Sequence, residues 1–234
     1  MYARTCNIAY RKANRLEIYA QTADGLLLSH TRSIYGKILM LEKLQPANSS
    51  TEHLFVGTDQ FKYFTVSWDG HSHQLRTESQ YTDMADKTSR DSQTHDRCLI
   101  DPTKQFMALQ IYNGIVTVIP IAQLGKRKGI LEAGTLGEPV AARISDLFVR
   151  SSAFVHSRGG KDSKQIKLAF LYEDNHRKAC LSIRVLEHSP GGSGEQGNVT
   201  LEEVIETRDD LELGASHLIP VSAPACMYKS PSHV

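Results

Sequence analysis

Apolar and polar residues alternate along much of this chain with a period of two, which sends successive side chains to opposite faces of an extended strand. Arg15-Leu16-Glu17-Ile18-Tyr19-Ala20 is the clearest run. Asp24-Gly25 supplies a turn, and Leu26-Leu27-Leu28 resumes the strand pattern. Further strands are predicted over 37–44, 53–58, 63–68, 75–79 and 98–101. A hairpin is predicted over 106–121, where two β-rich runs flank Asn113-Gly114, a pair that favours the type I′ turn. Later strands are predicted over 142–149, 167–172, 179–186, 200–207 and 217–221. Residues 201–213 also admit a helical reading through Leu201, Val204 and Ile205. Pro120, Pro220 and Pro224 stand at or beyond strand ends, where a missing N–H costs least. The sum is about fourteen short strands and no convincing helix. The pattern is all-β.

Three polar stretches interrupt it: 81–97, 125–139 with Lys126-Arg127-Lys128, and the Gly- and Ser-rich 189–198. Composition does not change on either side of any of them, so they read as surface loops of one domain. At 40% hydrophobic and 23% charged residues, the chain has the balance of a folded protein rather than a disordered one. Lys and Arg number 27 against 26 Asp and Glu, a net charge of +1. That excludes a broad electrostatic grip on nucleic acid, so direct binding is expected to be weak or absent. No apolar run approaches the roughly 18 residues that span a bilayer, and Met1–Cys6 carries no secretory apolar stretch, so no membrane partner is expected. The four cysteines, Cys6, Cys98, Cys180 and Cys226, lie 92, 82 and 46 positions apart. Such spacing fits neither a disulfide scaffold nor a zinc pair, and a reduced intracellular compartment is expected.

Motifs that carry chemistry fail on spacing. His71 and His73 would share a strand face, but no third metal ligand is near. Gly159-Gly160-Lys161-Asp162 lacks both ends of a phosphate loop. Ser193 sits between glycines, but Glu195 stands where a nucleophile elbow needs its second Gly. Lys126–Lys128 reads as solvated surface, and the glycosylation triplets at Asn48 and Asn198 read as chance without a secretory signal. No catalytic, cofactor-binding or metal-binding residue is assigned; a non-enzymatic protein without cofactors is expected.

An all-β chain of this length protects its sheet edges as a sandwich, a barrel or a propeller. Trp68-Asp69 ends a predicted strand, where a blade of the WD type carries its dipeptide, but no repeat of about 40–45 residues accompanies it. Pattern alone leaves sandwich and propeller open.

Two ordered blocks go further. The run Asn14-Arg15-Leu16-Glu17-Ile18-Tyr19, then Thr22-Ala23-Asp24-Gly25-Leu26 and Tyr35-Gly36-Lys37-Ile38, resembles the start of the first propeller in the family of the large damaged-DNA-binding protein subunit. That family also holds the large propeller subunits of splicing factor 3b and of the cleavage and polyadenylation specificity factor. The second block is Asp86-Lys87, Arg90, Leu99-Ile100-Asp101-Pro102, Leu109-Gln110-Ile111-Tyr112-Asn113-Gly114 and Val118-Ile119-Pro120-Ile121. The likeness is dense to residue 121 and sparse to 225, with Ala169–Asp174 and Ile219-Pro220-Val221 still recognisable. Arg15, Leu16, Glu17, Tyr19, Gly36, Asp101, Pro102, Asn113 and Gly114 carry the family motif as fold-making positions. Gly36 reads either as a backbone conformation closed to other residues or as a plain strand-start glycine. Asp101-Pro102 ends a strand.

The resemblance implies an incomplete β-propeller: about three to four four-stranded antiparallel blades of the family's first seven-bladed propeller. It spans 1–225, with a non-matching tail over 226–234. Such an arc is expected to leave two sheet edges and an apolar flank open. The family is a protein-interaction scaffold in ubiquitination and DNA repair, located in the nucleus with the cytoplasm as a second compartment. Its first propeller receives WD-repeat-type substrate receptors or other propeller domains, whereas cullin contact belongs to a different propeller. A scaffold role in splicing or 3′-end processing is the competing implication, and a truncated product without function is a third.

Overall fold

The structure is a computed structural model that describes residues 7–46, 51–83, 91–92, 96–122, 135–155, 165–189, 198–208 and 211–221. Sequence expectations at Cys6, Asn48, Asp86, Lys87, Arg90, Lys126–Lys128, Gly159–Asp162, Ser193, Pro224 and 226–234 lie outside the described residues.

Every strand among the described residues belongs to one of four antiparallel meanders laid out in chain order. The first sheet is β1 (Asn7–Lys12), β2 (Arg15–Thr22) and β3 (Gly25–Ser33). The second is β4 (Ile38–Leu44), β5 (His53–Thr58), β6 (Lys62–Asp69) and β7 (Gln74–Thr82). The third is β8 (Arg97–Ile100), β9 (Phe106–Gln110), β10 (Ile115–Pro120) and β11 (Val140–Arg143). The fourth is β12 (Val149–Val155), β13 (Ile166–Glu173), β14 (Ala179–Ser189) and β15 (Asn198–Arg208).

The sheets pack in a row, each against the next. Leu16 and Ile18 of the first sheet meet Val56, Val66 and Leu75 of the second. Phe55 and Tyr63 of the second meet Met107 and Leu109 of the third. Ala108, Val116 and Val118 of the third meet Phe154, Leu168 and Phe170 of the fourth. Met107 and Ala108 are chain neighbours that enter different cores, because a strand alternates its faces. The innermost described strands of the sheets touch in series, β1 with β4, β4 with β8 and β8 with β12. That convergence on one side is the geometry of propeller blades, and it excludes a two-sheet sandwich. Each fully buried large side chain contributes about 1.5–3 kcal/mol, so every blade depends on its neighbours.

The first sheet differs from the others in strand number and in cover. It has three strands where the rest have four. Its β1–β2 turn bonds where the β3–β4 connection enters β4, Ile38 N donating to Ala13 O at 2.8 Å. The β5–β6 turn bonds to that same connection, Asp59 N donating to Lys37 O at 2.9 Å. The β1–β2 turn is therefore the equivalent of the turns between second and third strands elsewhere. β1, β2 and β3 hold the second, third and fourth positions of a blade. No described strand holds the position nearest the axis, and a groove of about 520 Å³ lies between β1, β4 and β8. Exposed apolar side chains gather on this sheet: Tyr10 is 49% exposed and Leu27 64%. At the other end, Leu168, Ala169, Phe170 and Leu171 are all buried, so both faces of β13 are covered.

Several local expectations change. Gly114 is left-handed (φ 73°) but Asn113 is not, whereas a type I′ turn needs both. Leu109 pairs with Thr117, which continued inward sets Ile111 opposite Ile115 and leaves Tyr112, Asn113 and Gly114 as a three-residue loop. The predicted strand over 142–149 is instead the end of β11, a turn, and the start of β12, because Asp146 turns inward. Residues 217–221 form no ladder; Leu218 N donates to Ser151 Oγ at 3.0 Å. Side chains, not a strand partner, hold that segment. The ambiguous 201–213 begins as strand, within β15.

Candidate protein-interaction face

One face of the arc is a continuous hydrogen-bonded chain of turns and connections. Besides the pair at Ala13 and Lys37, Ile34 N donates to Asn14 O at 2.7 Å. Asp83 N donates to Phe61 O at 2.8 Å, and Ser92 N to Ile111 O at 2.7 Å. Ile144 N donates to Gly114 O at 2.9 Å, Phe148 N to Asn113 Oδ1 at 3.3 Å, and Glu173 N to Phe148 O at 3.3 Å. Each blade's outward turn is thus fastened to the connection entering or leaving a neighbour. Loops held in this way act as a platform rather than as separate flexible turns.

Large apolar side chains stand along this platform. Tyr35 is 77% exposed, Phe61 41%, Leu147 44% and Phe148 37%. Lys62 Nζ lies 5.2 Å from the Tyr35 ring centroid, a cation–π contact. Phe61 stacks on Tyr112 across the boundary between the second and third sheets, with centroids 6.3 Å apart and planes 17° apart. Phe61 and Phe148 both have left-handed backbones, at φ 54° and 53°, which turns these residues out of the ladder. Beneath them Asp83 accepts from the Tyr81 hydroxyl at 3.3 Å. Burial, then the nearby Asp83 carboxylate, pushes the Tyr81 and Tyr112 phenols up to about 12.

The sequence-predicted residues divide between this face and the rest of the fold. Gly36 lies on it at φ 96°, and a Cβ there would stand 2.8 Å from Asp59 Oδ1. That oxygen also accepts from Lys37 N at 2.8 Å. Both the conformation and the close approach therefore require glycine. Asn113 and Gly114 fasten the third sheet to the fourth, as above. Leu16 is fully buried. Glu17 is buried on the first sheet, with the Tyr19 hydroxyl at 2.9 Å and Lys12 and Arg15 each at 3.9 Å. The hydrogen bond to Glu17 raises the Tyr19 phenol. Asp101 and Pro102 occupy the opposite face. Asp101 Oδ1 accepts from Gln105 N at 2.7 Å and Phe106 N at 2.6 Å, while Oδ2 accepts from Thr103 N at 2.7 Å. Its carboxylate folds the turn from β8 to β9.

Sequence reasoning missed Phe61, Leu147, Phe148 and Asp59. Phe61 lies between two predicted strands, whereas Leu147 and Phe148 fall inside the strand predicted over 142–149, which hid the turn that exposes them.

For catalysis or metal binding the described residues offer little. No group of three His, Cys, Asp or Glu converges among them. His71 and His73 belong to the β6–β7 turn, where Asp69 Oδ1 accepts from His71 N at 2.9 Å. Between the first two sheets lies an apolar groove of about 370 Å³, floored by Ile18, Leu54, Val66 and Leu75 with Lys43 and Glu52 at its mouth. In the axial groove, burial raises the Glu42 carboxyl against the opposing pull of Arg11. The site's chemistry is that of contact.

Comparison with known proteins agrees. The family model described as the RSE1/DDB1/CPSF1 first beta-propeller matches residues 3–230. DNA damage-binding protein 1 of Schizosaccharomyces pombe is 30% identical over 181 residues, covering 77% of this chain and 16% of the relative. Its namesake from Oryza sativa subsp. japonica is 27% identical over 221 residues, 93% of this chain and 18% of the relative. DNA damage-binding protein 1a of Arabidopsis thaliana is 27% identical over 223 residues, with shares of 94% and 18%. The chain spans less than a fifth of the length of these relatives.

Proposed function

The chain belongs to the RSE1/DDB1/CPSF1 first β-propeller family, and from that premise we propose that it is a protein-interaction scaffold of the cullin ubiquitin-ligase adaptor type, serving ubiquitination and DNA repair. The observation that carries the reading is the latched face, whose aromatic side chains are exposed on backbone fixed from blade to blade. The relatives' name, DNA damage-binding protein, supports the repair branch. On this reading the chain acts in the nucleus and meets WD-repeat-type receptors or other propellers. It neither recruits the cullin through this segment nor grips DNA, in keeping with a net charge of +1. Arg15, Leu16, Glu17, Tyr19, Gly36, Asp101, Pro102, Asn113 and Gly114 then act by making the fold.

A second reading is a scaffold in splicing or 3′-end processing, because the matching family description spans those branches too. Quantitative co-purification of the full chain, read by mass spectrometry, separates the two. Ubiquitin-ligase receptors are the expected companions. Enrichment of splicing or polyadenylation subunits would favour the second reading, and no specific companion at all would overturn both.

A further inference from the structure

β1 combines a regular free edge with room beside it. Its ladder with β2 runs without a bulge from Asn7 opposite Ala20 to Lys12 opposite Arg15. No described strand pairs with its other edge, toward which alternate residues of an antiparallel strand turn their N–H and C=O groups. Other edges differ. β3 carries a bulge at Ser29, between the pairs Tyr19–Leu28 and Ile18–His30, which interrupts its edge. β4, β8 and β12 already stand innermost and meet one another. The space beside β1 is the groove of about 520 Å³, and the apolar groove of about 370 Å³ shares Ala9, Leu41 and Glu42 with it. One wall is also short of a hydrogen-bond acceptor. Arg97 on β8 donates from Nη2 to Arg150 O, while its buried Nη1 has no partner.

We propose that an extended segment of a partner protein docks here by strand addition, pairing antiparallel with β1 as the fourth strand of the first sheet. Backbone complementarity selects this occupant. An open strand edge is satisfied by another strand, whereas an apolar small molecule would leave its N–H and C=O groups unpaired. Charge does not choose it, because Arg11 and Arg97 in the groove stand against Glu42 and Asp96. β1 ends at the latched face and β4 begins there, so the added strand runs in the direction of β4. Ala9 pairs with Ile18 and packs with it toward the second sheet. Side chains of the added strand opposite Asn7, Ala9 and Arg11 point the same way, and the one opposite Ala9 meets Leu41. That position takes an apolar residue. The inference rests on the scaffold reading only in making the occupant a protein, and its site is separate from the latched turns.

The test is selection of a random decapeptide phage library on the intact chain, followed by amide hydrogen exchange of the free and peptide-bound protein. In the free chain, the β1 amides that point away from β2 are expected to exchange as an open edge. Selected peptides should alternate apolar with polar residues and slow those amides by about tenfold or more. N-methylation scanned along a synthetic copy of a selected peptide should weaken binding by about tenfold at every second amide. The intervening amides should tolerate it, because a strand turns only alternate amides toward one partner. If the β1 amides are already protected in the free chain, the chain fills the position itself and the inference falls. It falls equally if no peptide is selected, if bound peptides leave β1 exchange unchanged, or if N-methylation shows no alternation. Each of these results leaves the scaffold reading to the co-purification experiment, which fails or succeeds independently.

Discussion

Arg184 and Asp146 form a buried ion pair that joins the fourth sheet to the connection arriving from the third. Arg184 Nε and Nη2 both donate to Asp146 Oδ2, at 2.9 and 2.8 Å, and the two side chains are 7% and 5% exposed. Ser182 Oγ donates to the same oxygen at 3.0 Å, and Ser145 Oγ accepts from Arg184 Nη2 at 2.9 Å. Removing one partner strands a charge in the interior, which costs about 3–5 kcal/mol. Arg184→Leu should therefore lower the unfolding free energy by that amount, read as a lower urea midpoint at an unchanged slope. A loss below about 1 kcal/mol would mean that the pair is solvated.

Gly36 gives a sharper local test. Gly36→Ala sets a Cβ against Asp59 Oδ1 and Gln60 Cγ, at 2.8 and 2.9 Å, in a left-handed backbone. The expected cost is about 1–3 kcal/mol. Gly70→Ala, where a Cβ meets nothing within 4 Å, should change stability by less than about 0.5 kcal/mol. Equal effects in chemical denaturation would refute the clasp between Lys37 and Asp59.

Alkaline titration probes the tyrosines under the face. Burial raises Tyr63, Tyr81 and Tyr112, and Asp83 adds to the rise in all three. A raised folded value means that the neutral phenol is the form the fold prefers. The associated stability is complete below the usual phenol value near 10 and is lost as pH climbs through about 12. Phenolate absorbance should therefore show four of the nine tyrosines, Tyr19, Tyr63, Tyr81 and Tyr112, titrating later than an ordinary phenol until the protein unfolds. Asp83→Asn should bring Tyr81 and Tyr112 down. All nine titrating together would contradict the buried cluster.

Much of the fold was legible because runs rich in β-branched, aromatic and other apolar residues are bounded by turn formers. Arg15–Ala20 and 53–58 fall within strands at nearly their predicted bounds. Strands nearer the axis were harder. β12 reads Val-Arg-Ser-Ser-Ala-Phe-Val, yet Ser151 and Ser152 are buried, Ser152 Oγ donating to Gln110 Oε1 at 2.9 Å. Crowding between blades selects small polar side chains there, which erases the alternation. β1 escaped notice because Asn7 to Lys12 carries few large apolar residues. The interaction face was least legible, since its contacts join residues far apart in sequence, such as Asn113 and Phe148. Asn113-Gly114 marked the hairpin, but the chain's choice of three loop residues follows from what the tip must reach.

The turns of one face are fastened from blade to blade into a single platform. Amide hydrogen exchange on the full chain measures it directly. The amides of Ile38, Asp59, Asp83, Ile144 and Glu173 should exchange together with the core strands as one cooperative unit. If those amides exchange as freely as open turns while β5, β9 and β13 stay protected, the blades are separate sheets and the platform does not exist.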